Sequence, residues 1–218
     1  MKCLLPLILW LFSFAPLHAF YVNAKGFVVT NKQDTIMGEV RINLFNQASG
    51  AVCFNSFDNE ILHSEVWFRP AGIKKWKHYT PDNIKLFSFI YRQSTYEYRS
   101  FRPEKKSLVR SERSKARFLM LVHSSKVKLY KDVRRIFPSN PEYELTASYY
   151  TYTDYYLYSA EEGLIKAQKS KECKSVNDVL LLFGLEYSFV KQIPDGTSFK
   201  ALPEILSEYV AWRQEVRT

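Results

Sequence analysis

Residues 117–130, Arg-Phe-Leu-Met-Leu-Val-His-Ser-Ser-Lys-Val-Lys-Leu-Tyr, read as two strands folded back on each other, and a hairpin of this kind commits a chain to a sheet. Phe118 to Val122 is an unbroken apolar run, as in a strand covered on both faces, whereas Lys126 and Lys128 alternate with Val127 and Leu129, as in a half-exposed one. His123, Ser124 and Ser125 supply the turn, since short polar side chains bond the backbone groups that a reversing chain leaves unpaired.

The same period of two recurs along the chain. Residues 26–30 and 35–42 form a hairpin across the polar turn 31–34, and residues 51–57 resume the pattern before a turn at Asp58 and Asn59. A further strand is expected over 61–68, stopped by Pro70 and Gly72. Residues 76–79, 84–91 and 95–101 follow as extended segments; 134–145, with Pro138 and Pro141, reads as a loop. Residues 149–158 hold the densest run of tyrosines and pair through a turn with 164–168. From Ser175 the period changes. Ser175 and Asp178 form a capping-box pattern, Gly184 stops the first helix, a short helix fits 186–192, and Pro203 opens a third. In that third helix Leu202, Ile205, Leu206, Tyr209, Trp212 and Val216 recur at helical spacing. The expected fold is α+β but mainly β: about ten antiparallel strands in hairpins or a meander, barrel-like or sandwich, then two or three C-terminal helices packed on the sheet.

Residues 1–19 carry Lys2, an apolar block from Leu4 to Leu17 and then His18-Ala19, the pattern of a secretory signal peptide. The block is shorter than the ~20 apolar residues of a membrane span and contains Pro6 and Pro16, so no transmembrane span is expected in the mature chain. The expected organisation is a leader over 1–19, an antiparallel β domain over 20–170 and a helical segment over 171–218, exported to the periplasm, the cell envelope or the medium. Of the three cysteines, Cys53 and Cys173 lie beyond the leader; in an oxidising compartment they could pair as a disulfide or serve as small core residues.

The net charge of +9 has a local origin. Arg99, Arg102, Lys105, Lys106, Arg110, Arg113, Lys115 and Arg117 stand against Glu104 and Glu112, which reads as an exposed loop or edge and a candidate contact for an anionic surface. The tyrosine strand offers a second candidate, a cleft lined by Tyr150, Tyr152, Asp154 and Tyr156. Catalytic patterns are scarce. His63, His78 and His123 stand at no helical ligand spacing, there is no Cys-x-x-Cys, no Gly-x-Ser-x-Gly, and seven glycines leave little room for a phosphate loop. Cys53 with His63 is a conceivable nucleophile pair, carried by proximity in sequence alone. No catalytic residue, metal or cofactor is assigned.

Several pieces together resemble a family of small exported proteins of Bacteroidota-type bacteria. They are Gly26-Phe-Val-Val with Asp34, Thr35, Ile36 and Gly38; Val52 and Phe54; Tyr79-Thr-Pro-Asp with Ile84 and Phe87; Phe118-Leu119; Leu129-Tyr130; Tyr155-Tyr-Leu; and Val179-Leu180 with Tyr209. The family has no assigned activity, so the resemblance implies export and fold and transfers no functional residue. This chain departs from it near residues 67–77 and in the basic segment. The function expected is a non-enzymatic envelope or secreted binding or structural module, with anionic lipid headgroups, acidic glycans or an envelope protein as partners and nucleic acid not expected. The alternative is a hydrolase or small-ligand carrier using the tyrosine-lined cleft.

Overall fold

Gly26 stands directly opposite Gly38 in the first hairpin, and this pair decides how the sheet bends. The computed structural model describes residues 20–46, 51–52, 57–102, 115–136, 150–168 and 173–216. The hairpin consists of β1 (Tyr21–Thr30) and β2 (Thr35–Asn43). A Cβ on Gly26 would lie 2.1 Å from the Ser88 carbonyl oxygen, and one on Gly38 would lie 2.2 Å from that of Arg69. Both glycines share the inward parity of Ala24, Val28 and Val40, so the missing side chains let the neighbouring backbones close in on the concave side.

The remaining elements follow as a meander with one crossover. A two-stranded ribbon, β3 (Phe45–Asn46) and β4 (Ala51–Val52), precedes α1 (Asn59–Leu62), β5 (Val66–Pro70) and β6 (Lys77–Tyr79). Then come β7 (Ile84–Tyr91), β8 (Ser94–Phe101), β9 (Arg117–Ser124), β10 (Lys128–Ile136), β11 (Tyr150–Ser159) and β12 (Gly163–Lys166). The chain ends in α2 (Val176–Leu182), α3 (Tyr187–Val190), a 3₁₀ turn (Phe199–Ala201) and α4 (Leu202–Glu215). Among the described residues ten strands form one antiparallel sheet in the order β12-β11-β10-β9-β8-β7-β1-β2-β5-β6. The mainly-β expectation holds, with about ten antiparallel strands in one open sheet followed by C-terminal helices.

Two cores lie under this sheet. Val28, Val40, Ile42, Phe68, Phe87, Phe89, Tyr98 and Phe118 fill the concave side of the β1–β9 half together with Leu44, Phe57 and Leu62. Leu129 and Leu157 meet the C-terminal helices, whose Val179, Leu180, Phe183, Leu202, Leu206 and Tyr209 are buried against them. On the opposite face of β9–β11, Leu119, Tyr130 and Tyr156 are buried as well, so β9 is covered on both sides, as its unbroken apolar run predicts. Helix α2 starts on the predicted box, with Ser175 Oγ accepting from Asp178 N–H and the Asp178 carboxylate accepting from Ser175 N–H. Gly184 follows it at φ +71°.

Four local expectations are corrected. Asp58 does not make a turn but caps α1, so the strand expected over 61–68 begins only at Val66. Arg134, Arg135 and Ile136 extend β10 where a loop was expected, because pairing with Thr151 and Tyr152 outweighs the prolines that follow. The turn of the central hairpin falls at residues 125–127, leaving His123 and Ser124 in β9. The basic segment is strand at both ends, in β8 and β9. No helix among the described residues is long and apolar enough to cross a membrane. Substituting Gly38→Ala forces the β2 and β5 backbones apart and is expected to cost on the order of 3 kcal/mol in urea unfolding; a midpoint like that of the parent chain would mean the glycine does not set the curl.

Candidate functional site

β9 and β10 pair from Ser124 and Lys128 as far as Met120 and Lys131, then part. Strands that separate in an interior leave backbone groups needing partners. The curled sheet brings His63 into that gap. Phe118 N–H donates to the His63 carbonyl at 2.9 Å, His63 Nδ1 donates to the Phe118 carbonyl at 2.5 Å, and Val133 N–H donates to His63 Nε2 at 3.2 Å. This pattern assigns the proton to Nδ1. Glu60 Oε1 accepts from the Arg135 N–H at 3.1 Å, and Arg135 also donates to Asp58 Oδ1 at 2.8 Å. One short segment, residues 58–63, thus supplies the partners that a further strand would.

Asp132 is fully buried beside His63. Its Oδ1 accepts from Arg117 Nε and Nη2 at 3.0 and 2.9 Å, and its Oδ2 from Arg134 Nε at 2.7 Å. Asp154, the acid of the tyrosine strand, is held by Lys166 at 2.9 Å and lies 3.9 Å from Arg134. A buried carboxylate with two guanidiniums is compensated, and the guanidiniums are aimed by it.

Ser64, His63 and Asp132 invite comparison with a hydrolytic triad, and the geometry rules it out. His63 Nδ1 is 3.6 Å from Asp132 Oδ1 but gives its proton to Phe118; Nε2, which would have to accept from the serine, already accepts from Val133. Ser64 Oγ donates to the Ile61 carbonyl at 2.9 Å. In the folded protein the His63 lone pair is engaged by the Val133 N–H and so is not offered to a nucleophile; Cys53, the other half of the conceivable Cys53–His63 pair, lies outside the described residues. Burial pushes the His63 pKa down to about 4, with the Phe118 bond and the Asp132 charge opposing.

Immediately outside this joint is a cleft of about 350 Å³ lined by Ser64, Thr80, Pro81, Asp82, Arg102, Lys115, Ala116 and Arg117. Three cations meet one carboxylate there. Arg102 bonds Asp82 at 2.5 Å, Arg117 is turned toward Asp132, and Lys115 is exposed with no ion-pair partner among the described residues. Thr80 and the Asn83 side chain bond each other, which fixes the turn that carries Asp82. A group of this size and sign suits a carboxylate, sulfate or phosphate.

Of the eight basic residues singled out from the sequence, Arg102, Lys115 and Arg117 come together at this cleft. Arg99 sits half-buried in β8 opposite Leu119, and Lys105, Lys106, Arg110 and Arg113 lie outside the described residues. Tyr150 opens β11 opposite Ile136, and Tyr152, Asp154 and Tyr156 share the face away from the helices. Tyr152 is exposed and Tyr156 is buried beside Tyr130, and none of Tyr152, Asp154 and Tyr156 lines the cleft above. Burial pushes the Tyr130 and Tyr156 hydroxyls up to about 12. Cys173 is buried among the C-terminal helices. Sequence reasoning missed Asp132 and the joint at His63; the one available signal was the parity of Asp132 with Tyr130 in an alternating strand. Comparison of the chain with family models, with curated proteins and with solved structures finds no match.

The depressed His63 pKa gives folding a definite pH dependence. The unfolded histidine takes up a proton below about 6.5 while the folded one stays neutral to about 4, so stability present at neutral pH is lost as pH falls through that window. The expected loss is about 3 kcal/mol between the two values. Urea titrations of the parent chain and of His63→Gln across this range check it: the parent slope should be the steeper, and equal slopes would place the acid sensitivity elsewhere.

Proposed function

We propose that the protein is exported and acts as a non-enzymatic binding module of the envelope or the medium, holding an anionic macromolecule or surface at the cleft of Arg102, Lys115 and Arg117. The observation that carries the reading is that these three cations line one cleft in which Asp82 holds Arg102, Asp132 behind it holds Arg117, and Lys115 has no ion-pair partner among the described residues. Partners with the matching chemistry are anionic lipid headgroups, acidic glycans and an acidic face of an envelope protein. Asp82 occupies Arg102 in the free protein, so an incoming anion exchanges with a carboxylate already present. That exchange favours a multivalent anion over a single chloride-like charge.

Exposed charge pairs are screened over ~10 Å at ordinary ionic strength, so binding through this cleft must weaken with salt. Titration of the protein against a sulfated glycan across a salt series should show affinity falling steadily. Arg102→Ala combined with Lys115→Ala should lower it at low salt by at least about tenfold, at two charge-assisted contacts of ~1 kcal/mol each. Binding indifferent to salt or to these two side chains would remove the cleft as the contact.

A further inference from the structure

Residues 69–79 carry Arg69, Lys74, Lys75 and Lys77 and no acid. The loop that joins β5 to β6 begins with a turn in which Ile73 N–H donates to the Pro70 carbonyl at 3.1 Å and Gly72 adopts φ +77°. These are the marks of a type II turn. Ala71 N–H donates to the Met37 carbonyl at 2.9 Å, which ties the turn to β2. The returning limb is fixed differently. Trp76 folds over the outer face of the sheet, with the Arg41 guanidinium 4.4 Å and the Arg69 guanidinium 5.0 Å from its ring centroid. Arg41 also stacks on Tyr21 at 5.5 Å, and Arg69 is bonded by Glu39. The loop is therefore held at both limbs by contacts that leave its other side chains free to face outward.

Those outward side chains are an unusual set for a polar loop. Ile73 is 44% exposed, Met37 beside the turn 61%, and Trp67 on the same outer face 42%. Lys74 and Lys75 are exposed beside them, with no ion-pair partner among the described residues, while Lys77 stands opposite Phe68 and so takes the other parity of the sheet. The nearest acids are already engaged, Glu39 by Arg69 and Glu65 by His78 at 3.0 Å.

We infer that this loop is a membrane-contact element that seats on an anionic lipid leaflet. Ile73 and Met37 enter the headgroup layer, Lys74 and Lys75 hold lipid phosphates, and Trp67 lies at the interface where indole rings partition. The combination selects a bilayer over an acidic polymer. A polyanion rewards the two lysines and leaves Ile73 and Met37 in water, whereas a leaflet rewards both. The inference takes from the reading above only the negative sign of the partner, and it stands if the cleft proves not to be a site.

The test uses the protein as cells mature it, prepared identically for each variant, in co-sedimentation with phosphatidylcholine vesicles with and without phosphatidylglycerol. The parent should bind only vesicles that contain phosphatidylglycerol. Lys74→Ala with Lys75→Ala should weaken that binding on the order of 30-fold, at roughly fivefold per lysine near a charged leaflet. Ile73→Ser should weaken it on the order of fivefold with the lysines intact. Equal urea midpoints for parent and variants establish that only the surface has changed. No binding to either vesicle, equal binding to both, or loop variants that bind like the parent would overturn the inference. So would an Ile73→Ser variant of full affinity whose binding a sulfated glycan competes away, since the surface would then serve an acidic polymer. Loss on changing Arg102 and Lys115 but not the loop sinks this proposal; the reverse pattern keeps the loop as the leaflet contact and leaves the cleft to the glycan titration.

Discussion

Three backbone groups at the parting of β9 and β10 find their partners in a single residue, and the β1–β9 half of the molecule closes on that fact. The Phe118 N–H and carbonyl and the Val133 N–H all bond to His63, two of them to its ring. Unpaired in an interior, each would cost about 1–3 kcal/mol. Histidine suits the position because its neutral ring offers one donor and one acceptor on opposite sides. The ring must stay neutral to do so, and burial, which disfavours charge, secures that. The Gly26–Gly38 pair serves the same half of the sheet, since a side chain at either position would collide with the backbone of the neighbouring strand.

The same joint organises the charges next to it. Asp132, buried behind the ring, takes two guanidiniums and so turns Arg117 toward the protein. Its positive charge is largely compensated before any ligand arrives. Arg102 is likewise occupied by Asp82, leaving Lys115 as the cation of the cleft with charge to spare. The cleft as it stands therefore holds two cations already paired and one that is not.

Sheet and helices were legible because their signals are local. The tyrosine strand, the 84–91 run and the Ser175–Asp178 box each announce themselves within ten residues, and all three stand where expected. The errors share one cause. Asp58 was read as a turn residue, and its side chain does what it does in a turn, accepting the N–H two residues on; only the helical turn after it differs, and Ile61 and Leu62 suit strand or helix alike. At residues 134–136 the composition after the strand was allowed to shorten it. The candidate site was half legible: the cations declare themselves by number, while the Arg117–Asp132 and His63–Phe118 contacts depend on a bulge between Leu129 and Tyr130 and on the curl of the whole sheet. No window of sequence contains those.

The two basic surfaces therefore differ in kind. At the cleft, buried or facing carboxylates hold Arg102 and Arg117, and a ligand must compete with groups of the protein itself. At the β5–β6 loop the compensating acids serve arginines and a histidine, Glu39 for Arg69 and Glu65 for His78, and the lysines are left with water. Trp76 between Arg41 and Arg69 then performs a structural task with residues that look, in sequence, like part of the same positive patch. The guanidiniums build the platform and the ammoniums face outward. This division follows from their chemistry, since a planar, weakly hydrated guanidinium stacks on an indole more readily than a compact, strongly hydrated ammonium does.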